Sequence, residues 1–119
     1  MSGKPVQVWF WDGEREYTGE AVDLSAAAVT ALLKMSQFGD ATVIPTQRLV
    51  EGLARHLSKR VVEMKVSHEG MEADVKALIA GVQPDFESPR RLLLTASFQA
   101  PSERNEAVLR KLAERLRPS

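Results

Sequence analysis

The sequence contains no cysteine and has no net charge, because its 16 basic residues balance its 16 acidic residues. The absence of cysteine excludes disulfides, thiolate catalysis and zinc sites built on cysteine. The charge balance gives no electrostatic reason for nonspecific binding to nucleic acid or to a membrane surface. No apolar run approaches the roughly 20 residues of a membrane span, and the N-terminal residues lack the apolar core of a signal peptide. We therefore expect one soluble, cytoplasmic α+β domain over residues 1–119.

Catalytic and metal-binding motifs are also missing from the sequence. Its two histidines, His56 and His68, stand in no H-x-x-x-H or H-x-x-E-H pattern. No G-x-S-x-G motif is present, and the seven glycines are too scattered for a phosphate-binding loop. We therefore expect no enzyme activity, no metal and no cofactor. A small α+β enzyme, for example of the OsmC type, is an alternative because its strands and helices follow one another in a similar way. This chain would lack the cysteine nucleophile of such an enzyme.

The N-terminal residues predict a β-hairpin. Residues 6–11 are rich in β-branched and aromatic side chains, which are typical of strands. The pair Asp12-Gly13 comes next and is a strong signal for a type I′ hairpin turn. The returning strand is predicted over residues 14–22. Apolar side chains on both faces of the first strand indicate that its outer face is covered or meets a partner.

Two helices are predicted after the hairpin. Residues 26–35 are rich in alanine and leucine, which favours a helix that Asp23 or Ser25 would cap. The alternative over residues 25–36 is a turn followed by a strand. A second helix is predicted over residues 45–60, where Gly52 is interpreted as a place of close packing. Its apolar residues recur at helical spacing: Leu49, Val50, Leu53 and Leu57.

The C-terminal half predicts three strands and a final helix. Apolar and charged residues alternate over residues 62–66 and 71–79, which is the pattern of half-buried strands. A third strand is predicted over residues 91–99, after a polar loop at 84–89. Ser102 is a good N-cap for the last helix. The predicted order is ββ-αα-βββ-α, with an antiparallel sheet or small β-barrel and added helices.

Asp23 and Ser25 are the candidate ligand-binding residues, because a carboxylate and a hydroxyl at a strand end can hydrogen-bond a base or a sugar. The same two residue types commonly cap helices and tighten turns, which is the alternative interpretation. Arg15 and Arg90 are candidates to supply positive charge to such a ligand.

Two groups of apolar residues are candidates for an interface with a protein partner or a second copy of the chain. Trp9 and Trp11 lie in the first strand, and the helix contributes Leu49, Leu53 and Leu57. Stacking of nucleobases on the aromatic residues is an alternative. It is disfavoured because the same hairpin carries several acidic residues, whereas nucleic-acid binders place aromatics on a basic face.

Residues 19–28 and 75–116 resemble the PilZ family of bacterial cyclic-di-GMP receptor domains. The segment from Asp23 to Ala28 is similar to the family motif D/N-x-S-x-x-G, and the later residues resemble the last barrel strands and the closing helix. The resemblance implies a small β-barrel. It also implies a cyclic-di-GMP site that needs an R-x-x-x-R pair upstream of the motif, where this chain has Lys4 and Arg15 only. The motif glycine is Ala28.

These departures resemble PilZ-like variants that act through protein contacts or oligomerisation without binding the nucleotide. We therefore expect a non-enzymatic signalling or adaptor module. A cyclic-di-GMP receptor that uses Asp23 and Ser25 is the alternative, and a nucleic-acid-binding domain is a further one.

Overall fold

The computed structural model describes residues 5–34, 47–84 and 91–116. Within them the elements follow the order βββ-α-βββ-α. The strands and helices are β1 (Gln7–Trp11), β2 (Glu16–Leu24), β3 (Ala28–Lys34), α1 (Gln47–Leu57), β4 (Val61–His68), β5 (Met71–Pro84), β6 (Arg91–Gln99) and α2 (Glu103–Leu116).

The six strands form a closed antiparallel barrel in the order β1-β2-β3-β6-β5-β4, and β4 pairs back onto β1. Alternate side chains point into the barrel, as the period of two along a strand requires. On β4, for example, Val62, Met64 and Val66 are buried while Glu63 is exposed. Closure pairs each of these strands on both sides, so the core is the barrel interior and its strands offer no free edge to a partner.

The helix predicted over residues 26–35 is wrong, because residues 28–34 form strand β3. Val29, Ala31 and Leu33 point into the barrel and are 0–1% exposed. The strand pairs with β2 on one side and with β6 on the other. Pairing on both sides overrides the helix propensity of alanine and leucine, which is a weak preference. The alternative of a turn plus a strand is confirmed, and the barrel depends on it.

The first hairpin is confirmed, but its turn differs from the predicted type I′. The returning strand begins at Glu16 and continues to Leu24. Of the turn residues only Gly13 has a positive φ, of 103°, whereas a type I′ turn needs positive φ at both central positions. The Asp12 side chain closes the turn instead, through hydrogen bonds described below.

The two helices lie at opposite ends of the barrel. Helix α1 leads into the start of β4, at the same end as the β1–β2 turn, and its Leu57 is fully buried. The interpretation of Gly52 as a place of close packing is not supported, because a Cβ built on this residue meets no described atom within 4 Å.

Helix α2 follows β6 and packs on β5, β2 and β4 at the other end. Its predicted start is confirmed, because the Ser102 hydroxyl accepts a hydrogen bond of 3.2 Å from the Asn105 backbone. Leu109, Leu112 and Ala113 form its buried side.

The remaining strand predictions are confirmed, with one change of length. Strand β5 continues beyond residue 79 to Pro84, with a register shift against β6 between Ile79 and Gly81. Residues 36–44, between the two helices predicted after the hairpin, lie outside the described residues, as do residues 85–89 of the predicted polar loop.

Candidate functional site

Ser25 holds the turn between β2 and β3. Its hydroxyl oxygen accepts hydrogen bonds from the backbone N–H groups of Ala27 and Ala28, each 3.1 Å long. Its own N–H donates to the carbonyl of Ala28 at 2.9 Å, which closes the hairpin. The interpretation of Ser25 as a turn residue therefore accounts for its position, although the role is in a β-turn and not at a helix cap.

Asp23 lies on a β-bulge just before this turn. The register between β2 and β3 shifts between Ala21 and Asp23, so two successive side chains, Val22 and Asp23, are both exposed. Asp23 lies opposite Thr30 of β3. Its carboxylate makes no hydrogen bond or ion pair with any other residue that the structure describes. Asp23 is thus accessible to solvent at the α2 end of the barrel.

The alanine in place of the motif glycine is accommodated without backbone strain. Ala28 is the first residue of β3 and pairs with Ser97. Within the described ranges, the non-glycine residues with positive φ are Lys59, Glu69 and Ala100, so Ala28 is not one of them. The substitution therefore does not distort this turn.

Arg15 lies far from Asp23, because the two residues flank opposite ends of β2. Arg15 belongs to the β1–β2 turn at the α1 end, whereas Asp23 lies next to the last residue of the strand. Eight residues of strand at about 3.3 Å each separate them by up to about 26 Å. The structure therefore does not bring Arg15 to the candidate ligand site. Arg90, the other candidate cation, lies outside the described residues.

A buried carboxylate that the sequence analysis did not single out organises the other end of the barrel. The side chain of Asp12 has no exposed surface. Its Oδ1 accepts hydrogen bonds of 2.8 Å from the backbone N–H groups of Glu14 and Arg15. Its Oδ2 accepts one of 2.9 Å from the hydroxyl of Tyr17 and lies 3.1 Å from Nε2 of His56.

The surroundings of Asp12 perturb two pKa values in opposite directions. Burial by itself would raise the pKa of the Asp12 carboxyl, but the hydrogen bonds it accepts outweigh burial and hold this pKa at about 2. Burial, together with the hydrogen bond to Asp12 and its negative charge, raises the pKa of Tyr17 to about 12. The ring of Tyr17 also stacks on Phe10, with centroids 4.6 Å apart. Asp12 is therefore ionised and Tyr17 is neutral throughout the physiological range.

The Asp12 network ties helix α1 to the first hairpin. His56 lies on α1, and its Nε2 is within reach of both Asp12 and, at 3.2 Å, Nη1 of Arg60. One nitrogen cannot donate to Asp12 and accept from Arg60 at once, so the tautomer of His56 decides which contact is a hydrogen bond. The oxygens of Asp12 are occupied by donors from its own turn and from Tyr17. This network suits a structural joint better than acid–base chemistry.

The outer side of β1 carries both tryptophans. Trp9 and Trp11 alternate with the buried Val8 and Phe10, so their rings lie on the barrel's outer surface. Trp11 lies opposite Glu16 of β2 on one side and Glu63 of β4 on the other. We call the surface formed by Trp9, Trp11, Glu16, Val61 and Glu63 the tryptophan face.

The tryptophan face exposes apolar surface. Trp11 is 38% exposed and Val61 is 54% exposed, and Val61 lies two residues before Glu63 on the same side of β4. Trp9 is half-buried and borders an open groove of about 330 Å³. The groove is lined by Trp9, Glu63, Met64, Lys65, Asp74, Val75 and Lys76. This arrangement can bind another molecule through apolar and charged contacts together.

Of the three leucines that the helix was predicted to contribute to the interface, the structure describes the side chain of Leu57 alone. Leu57 is fully buried in the core of this chain, so its side chain is not exposed for a partner. The side chains of Leu49 and Leu53 lie outside the described residues. Trp9 and Trp11 are therefore the predicted interface residues that the structure places at the surface.

No group of three or more His, Asp or Glu side chains in the described ranges could hold a metal ion. Neither of the two described helices is long and apolar enough to cross a membrane.

No family model matches this sequence, and no curated protein matches it. Among solved structures, the chain is similar to the Bacillus subtilis inhibitor of motility (MotI/DgrA), with a TM-score of 0.63 at 12% sequence identity. The similarity covers 94% of this chain and 46% of the Bacillus chain, so this chain spans about half the length of that structure. At this identity the likeness shows the fold alone. It fits the PilZ-like barrel that residues 19–28 and 75–116 resemble.

Proposed function

We propose that this protein is a non-enzymatic, cytoplasmic adaptor module of bacterial signalling and that the tryptophan face is its contact surface. The observation that carries the proposal is the exposure of Trp11 and Val61 side by side on the barrel's outer surface. Aromatic residues are enriched at protein interfaces and often supply most of their binding energy. Because its strands are paired on both sides, the barrel meets a partner with a face and not by strand addition.

Two further observations support an adaptor over an enzyme. Among the described residues, the two groups with perturbed pKa values, Asp12 and Tyr17, hydrogen-bond each other, and the Asp12 side chain has no exposed surface that a substrate could reach. The similar structure from Bacillus subtilis carries the name of an inhibitor of motility and not of an enzyme.

The proposal is tested by site-specific photo-crosslinking in the native host. p-Benzoylphenylalanine, a photo-reactive amino acid that keeps an aromatic ring at the substituted position, replaces Trp11 in one variant and the exposed Lys111 of α2 in a control variant. We expect a discrete adduct from position 11 and none from position 111. The mass of the adduct separates another protein from a second copy of this chain. The absence of an adduct from position 11, or equal adducts from both positions, would contradict the proposal.

A cyclic-di-GMP receptor is the second candidate function. The exposed Asp23 on the bulge favours it, because the carboxylate is accessible and has no partner among the described residues. Against it stand the turn role of Ser25 and the position of Arg15 at the other end of the barrel.

A further inference from the structure

Two carboxylates flank the exposed ring of Trp11. Glu16 and Glu63 lie directly opposite Trp11 on the neighbouring strands, and both are exposed. Side chains in directly opposed positions of antiparallel strands have Cβ atoms about 4.5–5.5 Å apart. The indole therefore lies between two negative charges on the outer surface of the barrel.

Neither carboxylate is neutralised within the described part of the chain. Glu16 and Glu63 make no ion pair or hydrogen bond with another described residue. The nearby Lys65 turns the other way, to Glu72 and Asp74 of β5, each 3.9 Å from its Nζ. Lys76 of β5 lies directly opposite Glu63, but the two side chains form no ion pair.

Other cations lie at the rim of this surface. Arg15 precedes Glu16 in the turn, and both Arg15 and Arg60 are close enough to Tyr17 to act on its hydroxyl. Lys76 is the register partner of Glu63 on β5. Because basic residues of this chain border Glu16 and Glu63, the two carboxylates suit a single cationic side chain better than a long basic surface.

We infer that the tryptophan face binds a protein segment that presents an arginine or lysine side chain beside an apolar residue; this inference rests on the proposed adaptor function. The cation would lie on the Trp11 ring, where cation–π attraction acts, with Glu16 and Glu63 as its counter-charges. Val61, diagonal to Trp11 across β1 and β4, would contact the apolar residue. The two unpaired carboxylates disfavour anionic partners such as nucleic acid or acidic lipid.

The test uses a labelled synthetic hexapeptide of alternating arginine and leucine, and fluorescence anisotropy measures its binding to the intact protein. We expect saturable binding that weakens about five- to tenfold in the double variant Glu16→Gln and Glu63→Gln, since each exposed ion pair contributes a factor of a few. We expect Trp11→Ala to weaken binding about tenfold or more. A Glu114→Gln variant, altered on exposed α2, serves as the matched control and should bind as the wild type does.

A second peptide isolates the positive charge. Citrulline replaces arginine in it, which keeps the shape and removes the charge, and we expect binding to be lost. Equal binding of the citrulline peptide, or equal weakening by Glu114→Gln, would overturn the inference. Thermal unfolding of each variant checks that the variant is folded at the temperature of the binding measurement.

Crosslinking separates failure of this inference from failure of the adaptor proposal. If the adduct from position 11 persists unchanged when Glu16 and Glu63 are both glutamine, the adaptor proposal stands and the cationic partner is wrong. An adduct that contains two copies of this chain would also overturn the inference, because a second copy would then occupy the face. If position 11 gives no adduct at all, both fall together.

Discussion

At the scale of single residues, Asp12 holds the first hairpin closed and lies within hydrogen-bond distance of His56 on helix α1. Its carboxylate is buried, yet hydrogen bonds from two backbone N–H groups and from Tyr17 stabilise its charge. Hydrogen bonds to a charged group contribute about 1.5–3 kcal/mol each to stability. A buried charge with this many donors is favourable only while all of them remain in place.

We expect Tyr17 to titrate well above the ordinary tyrosine pKa of 10.0, at about 12. Tyr17 is the single tyrosine of the chain, so tyrosinate absorbance as a function of pH reports it alone. In Asp12→Asn the pKa should fall toward 10.0, because the acceptor charge is lost while burial remains. Asp23→Asn, at the other end of β2, is the control and should leave the pKa unchanged. A wild-type midpoint near 10.0 in the folded protein would contradict this account.

The same network sets the pH dependence of stability, with opposite signs for its two members. The lowered pKa of Asp12 gives a contribution that is present above pH 3.8 and is lost as the pH falls through about 2. The raised pKa of Tyr17 gives one that is present below pH 10.0 and is lost as the pH rises through about 12. At neutral pH, Tyr17→Phe should lower the free energy of unfolding by about 1–3 kcal/mol. Urea unfolding at several pH values measures both effects.

Gly19 is required by close packing in the barrel wall. A Cβ on this residue would overlap the backbone oxygen of Leu32 and lie 2.8 Å from Cδ2 of Leu33. We therefore expect Gly19→Ala to lower the free energy of unfolding by about 1–3 kcal/mol, because strand β3 must shift. Gly52→Ala is the matched control: the new methyl group meets no atom of the described residues, so helix α1 should gain up to about 1 kcal/mol of stability. Chemical denaturation measures the free energy of unfolding of both variants. Equal values for Gly19→Ala and Gly52→Ala would contradict the packing argument.

At the scale of elements, strand β3 shows where local sequence is insufficient. Residues 26–35 are dominated by alanine and leucine, so composition favours a helix. The alternation of the buried Val29, Ala31 and Leu33 with Thr30 and Leu32 is the strand signal in the same stretch. The strands that alternate charged and apolar residues were predictable, since a shift by one residue would bury charges. Strand β3 has no charge before Lys34, and its state depends on partners distant in sequence.

Helix α1 is held to the barrel by Leu57, which is fully buried. We expect Leu57→Ala to lower the free energy of unfolding by about 2–5 kcal/mol, as truncation of a buried leucine generally does. Arg55→Ala, on the exposed side of the same helix, should change stability by less than about 0.5 kcal/mol. Analytical ultracentrifugation should find the same oligomeric state for Leu57→Ala and the wild type. A change of oligomeric state without loss of stability would return Leu57 to the interface.

At the scale of the whole molecule, the barrel separates the candidate ligand site at Asp23 from the tryptophan face, although strand β2 contributes a residue to each. Asp23 and Arg15 are eight residues apart, but an extended strand puts them at opposite ends of the barrel. The tryptophan face is assembled from β1, β2 and β4, so residues distant in sequence become neighbours there. The sequence predicts the aromatic strand and its outward residues. The pairing of Trp11 with Glu63 follows only from barrel closure, which no local pattern encodes.

This separation leads to our expectation for the nucleotide. We expect calorimetric titration with cyclic-di-GMP at moderate salt to give no saturable heat, because Arg15, the one arginine that precedes Asp23 in the sequence, lies at the opposite end of the barrel. Planar, bidentate recognition of guanine and phosphate is a role for arginine. If binding is micromolar or tighter, Asp23→Ala should abolish it and Arg15→Ala should not, since up to about 26 Å of strand lies between them. That outcome would make the exposed bulge the ligand site, with its cations supplied by another part of the chain, and would replace the adaptor proposal with a receptor.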